Sequence, residues 1–134
     1  MSNKPTRNDA PALKERLSRS QEINISVTGR KSGRTISIPV WFVLDGEDLY
    51  LLPVQGSDTQ WYKNVLNNPM IRIDAEGGLR PPGQVRAPAP TRAVPISDPT
   101  RVLSVVEKFR DKYGAKDVKK YYSKLDVAVV VQIR

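Results

Sequence analysis

The residues best suited to chemistry stand together at Thr28-Gly29-Arg30-Lys31-Ser32-Gly33-Arg34. Three cations and a hydroxyl beside two glycines could hold a phosphate or a carboxylate. The chain has no histidine and no cysteine. That removes the usual general base, the usual zinc ligand, thiolate metal sites and any Ser-His-Asp or cysteine nucleophile. Chemistry must come from carboxylates, Lys, Tyr, Ser/Thr, backbone groups or a bound cofactor. The basic stretch is not a triphosphate loop, because it lacks the four-residue spacer and the Gly-Lys-Ser/Thr ending. The same residues also fit an ordinary solvated hairpin tip, where Gly supplies positive φ cheaply.

The flanking sequence says what must position this turn. Ile23, Ile25 and Val27 alternate with Asn24 and Ser26 on one side, and Thr35 to Leu44 is rich in β-branched and aromatic residues on the other. Alternation around a short glycine-bearing loop predicts a hairpin. Pro39 within the second run must lie at an edge or a bulge, since it has no donor for a ladder. Asp45-Gly46-Glu47-Asp48 is a turn, and Leu49 to Val54 returns as a third strand. Ser57-Asp58-Thr59-Gln60 then offers an N-cap and a capping box for a short helix around Trp61 to Asn67. Pro69 stops that helix, and Met70 to Ala75 alternates as a fourth strand.

Glu76 to Ile96 is rich in Gly and Pro and reads as a long loop ending in a proline-broken edge strand, around Val85 and Ala93 to Ile96. Asp98-Pro99 starts a helix with an apolar stripe of Val102, Val106, Phe109 and Tyr113, closed by Gly114. Asp117 caps a second short helix through Tyr122. The run from Leu125 to Ile133 is a last, central strand. Residues 1–11 are a loose tail, Ala12 to Ser20 a short helix, and 12–134 one domain. Hairpins dominate and no βαβ repeat is visible. The elements fit a small antiparallel barrel flanked by helices.

The net charge is +8 and unevenly spread. Residues 1–36 carry eight Lys/Arg against three Asp/Glu, residues 37–71 one against four, and residues 72–134 thirteen against seven. This suits an anionic ligand, nucleic acid or a membrane surface without choosing between them. No apolar h-region opens the chain and no apolar run is long enough to span a bilayer, so a cytoplasmic protein without a transmembrane segment is expected.

Four features converge: the basic tip; the strand Ile36-Ser37-Ile38-Pro39-Val40-Trp41; the loop Pro53 to Asp58; and the helix N-terminus, whose free N–H groups favour an anion. For Trp41 and Trp61, core packing is the plain alternative. The turn, then Pro39-Val40-Trp41-Phe42, Asp45-Gly46, Leu49-Tyr50 and Trp61 to Pro69 resemble the deazaflavin-dependent nitroreductase family of flavin- and F420-binding split β-barrels. The resemblance is close over residues 25–75 and looser from Ser97 to Ile133.

The resemblance implies a six-stranded antiparallel split β-barrel flanked by short helices (α+β). It implies a flavin- or F420-dependent oxidoreductase moving a hydride to a small quinone-like or unsaturated acceptor. Arg30, Lys31 and Ser32 would hold the phosphate or acidic tail of F420 or FMN. Ile36, Ser37, Ile38, Pro39, Val40 and Trp41 would run beside the ring, and Val54, Gln55, Gln60, Trp61, Tyr62 and Asn64 would close the other side. No catalytic side chain and no metal are implied. The chain departs from the family at Val54-Gln55-Gly56-Ser57, where a Gly-Gly loop is usual, and at Lys116 and Lys119, where aromatics are expected. Nitroimidazole reduction is therefore not implied. A split barrel that only carries a flavin, F420 or a tetrapyrrole is the alternative, and a nucleic-acid-binding barrel is a third reading. A homodimer is compatible with the family.

Overall fold

A computed structural model describes residues 21–75 and 90–133. The expected tail, the helix at 12–20 and the strand position Val85 lie outside those residues. The described part has seven strands: β1 (Ile23–Thr28), β2 (Thr35–Val40), β3 (Phe42–Asp45), β4 (Asp48–Leu51), β5 (Met70–Ala75), β6 (Thr91–Ile96) and β7 (Ala128–Gln132). It has three helices: α1 (Gln60–Asn67), α2 (Pro99–Tyr113) and α3 (Ala115–Tyr121). A 3₁₀ turn at Gly56–Asp58 precedes α1. The strands are ordered β2-β1-β5-β6-β7-β4-β3, and every ladder between them is antiparallel.

The expected count of six strands gives way to seven because Thr35–Leu44 is two strands, separated only by Trp41. β2 and β3 occupy opposite ends of the strand order. One residue can join them only if the sheet curls until its two edges approach, which is the shape of a split barrel. No ladder joins β2 to β3, so the sheet is not closed. The sheet is thinnest at β5–β6, where only Met70 with Arg92 and Ile71 with Thr91 are paired. β6 therefore lies inside the strand order and not at an edge. The short ladder still leaves Pro95, which the sequence reading placed on an edge, without a β5 partner.

The alternation that marks the strands divides the core in two. Ile23, Ile25 and Val27 of β1 point to a buried inner cluster, together with Val129 and Val131 of β7 and Trp61, Tyr62 and Val65 of α1. A second cluster lies beneath α2 and α3, where Val102, Val105, Val106, Phe109 and Val118 meet Val43, Ile96 and Ala128. β7 is apolar on both faces because it serves both clusters, as its central place requires.

Asp98 caps α2 by accepting the Arg101 N–H at 3.0 Å, with Pro99 at the first helical position. Gly114, at φ 97°, ends α2 and also caps α3. Asp117 thus lies in the first turn of α3 and is not its N-cap.

Pro39 does occupy an edge, since among the described residues β2 has only β1 beside it. The hairpin bond from Gly29 N–H to the Arg34 carbonyl, 2.8 Å, fixes which pairs exchange hydrogen bonds. Counting by twos from that pair, Pro39 opposite Asn24 falls at a position where neither residue bonds across the ladder. Its ring nitrogen faces away from β1, and no ladder bond is lost.

The crossing after Trp41 is fixed by α2. The Tyr113 hydroxyl accepts the Phe42 N–H at 3.0 Å and donates to the Gln21 carbonyl at 2.8 Å. Lys112 Nζ donates to the Phe42 carbonyl at 2.8 Å. Tyr113→Phe removes the acceptor of a part-buried N–H, so we expect a loss of about 1–3 kcal/mol of stability. Urea denaturation checks this: an unchanged midpoint would show that the crossing is held by packing alone.

Candidate functional site

The basic turn folds as its glycines demand. The Gly29 N–H bonds to the Arg34 carbonyl and the Gly33 N–H to the Gly29 carbonyl, with Gly33 at φ 73°. A side chain at Gly29 would crowd Ser32 Oγ at 2.9 Å and Ile36 at 3.2 Å. Ser32 Oγ accepts the Arg34 N–H at 3.1 Å, so this hydroxyl shapes the loop. Lys31, Ser32, Gly33 and Arg34 are all exposed.

Arg30 behaves differently. Its backbone N–H and its Nη1 both donate to Asn64 Oδ1, at 3.1 and 2.8 Å. Its Nη2 donates to Gln60 Oε1 at 2.8 Å. Gln60 and Asn64 are one helical turn apart and share a face of α1, which lets one guanidinium fork meet both. Asn64 is only 5% exposed, so its oxygen depends on Arg30 for partners. The turn is thereby fastened to the first two turns of α1.

The start of α1 also presents backbone donors. Thr59 is the N-cap, but its hydroxyl accepts the Gln55 N–H at 2.8 Å and makes no cap bond. The capping box expected at Ser57 to Gln60 does not form. The first intrahelical bond runs from Lys63 N–H to the Thr59 carbonyl, which leaves the N–H groups of Gln60, Trp61 and Tyr62 without helical acceptors. No acidic residue stands in that first turn. The Trp61 and Tyr62 side chains are buried in the inner core, so of these two residues only the backbone faces the helix end.

The preceding loop is built around Asp126. Its carboxylate accepts the Ser57 N–H at 2.9 Å and the Ser57 hydroxyl at 2.7 Å, which holds its pKa below the usual carboxylate value. Lys124 pairs with Asp58 at 3.2 Å and lies 3.9 Å from Asp126. Exposed Val54 and Gln55 adjoin this segment: the Val54 carbonyl accepts the Ser123 N–H, and Gln55 bridges to Lys124. Sequence reading missed Asp126, because its contact with Ser57 spans 69 residues and has no local signature.

β2 presents two faces. Ile36, Ile38 and Val40 stand opposite Val27, Ile25 and Ile23 on the inner side, whereas Ser37 and Pro39 share the outer side with Ser26 and Asn24. Ile36 is 39% exposed, and among the described residues no strand pairs with the outer edge of β2. Trp41 is not brought to the turn. It sits at the other end of β2, roughly 20 Å away at about 3.3 Å per residue. There it stacks on Tyr113 with ring centroids 4.1 Å apart and meets Tyr121 edge-on at 5.5 Å. Gln21, Trp41, Lys112, Tyr113 and Asp117 line an open hollow of about 360 Å3 at that end.

The family described as "Uncharacterized protein conserved in bacteria (DUF2255)" matches residues 14–133. The chain belongs to DUF2255. Comparison with curated proteins gave no match. Among solved structures, this DUF2255 chain is similar to an F420-H2 dependent reductase (FDR-A), with TM-score 0.60 and 18% identity over 84% of this chain and 94% of the reductase. HutZ, the heme storage protein from Vibrio cholerae, gives TM-score 0.66 and 14% identity over 92% of this chain and 89% of its own. A heme binding protein from Mycobacterium smegmatis gives 0.63 and 15%, over 97% of this chain and 52% of that one. At such identities the likeness is one of fold, and it supports a split barrel for DUF2255.

Two outcomes follow for the two ends of β2. Gly56 has φ 56°, and a Cβ there would overlap the Asp126 carboxylate. Gly56→Ala should therefore lose about 1–3 kcal/mol, from positive-φ strain together with displacement of the Asp126 carboxylate, and loosen the start of α1. Gly46→Ala, at φ 64° in open space, should lose about 1 kcal/mol. Equal losses in thermal melts would show that Asp126 simply moves aside. At the Trp41 end, burial brings the Lys112 pKa down to about 8 and pushes that of Tyr113 up to about 12. An amine whose folded pKa is depressed disfavours folding while charged, so its contribution to stability rises with pH from about 8 towards 10.5. Above 10 the phenols oppose this, since Tyr113 and Tyr122 hold their protons longer folded than unfolded. Urea titrations from pH 7 to 10 should show the rise, and Lys112→Met should flatten it.

Proposed function

We propose that this protein binds a flavin-type cofactor, F420 or FMN, by its anionic tail at the 28–34 turn and the start of α1. We further propose that it acts as an oxidoreductase, transferring a hydride between that cofactor and a small quinone-like or unsaturated acceptor. The observation that carries this reading is the single surface made by the turn and the helix end. It combines exposed Lys31 and Arg34, the nearby Arg30 guanidinium and a helix N-terminus with no side-chain cap bond and no acidic first turn. The similarity of fold to an F420-H2 dependent reductase supports it.

A bound flavin-type cofactor supplies the hydride chemistry itself, which suits a chain without histidine or cysteine. The protein's part is to bind, orient and exclude water. Lys31 and Ser32 would meet the anionic tail, with backbone N–H groups of Gln60, Trp61 and Tyr62 at the helix end. Ile36, Ile38 and Val40, left half-open on the inner side of an edge strand, offer apolar surface to a ring. Val54 and Gln55 flank the approach from the other side.

The second reading is a carrier of a tetrapyrrole, favoured by the similarity of fold to HutZ and to a second heme binding protein. Without histidine or cysteine, axial ligation would fall to Tyr, Met or Lys. That places the tetrapyrrole second. A single-stranded nucleic acid needs exposed aromatics to stack on. Among the described residues, Tyr121 is the only aromatic that is largely exposed, at 53%.

Absorption and fluorescence titrations with FMN, F420 and hemin discriminate these readings. Saturable binding of FMN or F420, weakened about fivefold by Lys31→Ala or Arg34→Ala (about 1 kcal/mol each), is the expected result. Binding of hemin alone would favour the carrier. No binding of FMN or F420 would overturn the oxidoreductase reading.

A further inference from the structure

The four residues at the tip of the turn divide by what they touch. The Arg30 guanidinium is turned back onto α1, its donors meeting Asn64 Oδ1 at 2.8 Å and Gln60 Oε1 at 2.8 Å. Its main-chain N–H joins the same Asn64 oxygen at 3.1 Å. Lys31 and Arg34 flank it and are exposed, and Ser32 braces the loop through the Arg34 N–H. A buried amide oxygen that takes two donors from one residue is a fixed point, and the turn has little freedom to leave it.

We infer that Arg30 is a positioning residue, latching the basic turn to α1 through Gln60 and Asn64, and that Lys31 and Arg34 are the cations offered to the anionic ligand. This rests on the reading of the turn as an anionic-tail site, and it reverses the role that sequence gave Arg30. The latch works through shape. A guanidinium presents a planar fork that can bond two acceptors on adjacent helical turns, whereas an ammonium carries the same charge without the fork. The latch also sets the turn beside the uncapped end of α1, so two sources of positive potential act on one ligand group.

The distinction can be tested because latch and anchor respond differently to the same substitutions. The probes are F420 and FMN, followed by fluorescence at several salt concentrations. Arg30→Ala should weaken binding about tenfold, and Arg30→Lys should weaken it nearly as much despite keeping the charge. Gln60→Ala, at an exposed position that leaves the core intact, should weaken binding about threefold alone and have no further effect in the Arg30→Ala background. Asn64→Ala should behave likewise. Lys31→Ala and Arg34→Ala should flatten the salt dependence, because screening acts on exposed charge at the ligand; Gln60→Ala and Asn64→Ala should leave it unchanged.

Rescue by Arg30→Lys, or losses that multiply in the Arg30→Ala/Gln60→Ala pair, would overturn the latch and make Arg30 a direct anchor. If the unmodified protein binds neither F420 nor FMN, the functional reading fails, and amide exchange decides the latch separately. Faster exchange at Gly29 and Gly33 in Gln60→Ala, absent when Arg30 is already Ala, supports it. Unchanged exchange in Gln60→Ala and Arg30→Ala alike would overturn it.

Discussion

The constraint on which the rest of the structure depends is the passage of the chain through one residue, Trp41, from one edge of the sheet to the other. A flat sheet could not satisfy it, because the two edges would be separated by the width of seven strands. Curling brings them together and creates an inside, which the inner cluster fills. The corner is held from outside by α2, through Tyr113 and Lys112 on the two backbone groups of Phe42. Burial makes those contacts matter, since an amide or carbonyl left unpaired there would face little water. The helices are therefore more than a cover, for one of them sets where the sheet turns.

The same economy appears at the other end of the hairpin. Buried Asn64 and exposed Gln60 take hold of Arg30, and the loop before α1 is held by Asp126. Both contacts join segments far apart in sequence. They bring an exposed cationic turn, an edge strand with half-covered aliphatic residues and an uncapped helix end into one region. A polar tail and a flat apolar ring would find complementary surfaces there. This chemistry, and no single side chain, is what an oxidoreductase without histidine or cysteine would need.

Much of this was legible where the cause is local. Asp98-Pro99 announces the start of α2, Gly33 and Gly46 mark their turns by positive φ, and the alternation of β1 survives intact. Pro39 correctly marked an edge. What escaped was non-local. Nothing in the continuous β-forming run from Thr35 to Leu44 says that it breaks at Trp41, because the break is enforced by a tyrosine 71 residues from Phe42. One local expectation also failed: the capping box at Ser57 to Gln60 is absent, because Ser57 is engaged by Asp126 and the Thr59 hydroxyl by the Gln55 N–H. In sequence Arg30 is indistinguishable from Lys31 and Arg34, but in the fold it is bound to Asn64. The sequence marks the cations, and only the fold tells which of them is already engaged.

Pro39 has a consequence beyond its own strand. With its nitrogen on the outer side of β2, the free edge carries N–H groups only from Thr35 and Ser37 before the proline interrupts the series. An incoming strand from another molecule would find an incomplete row of donors, which discourages fibril-like addition at an otherwise exposed edge. Any self-association across this face must then be built from side chains such as Ile36 instead of a continuous backbone ladder. A proline that costs the hairpin nothing thus governs the kind of assembly the molecule can enter.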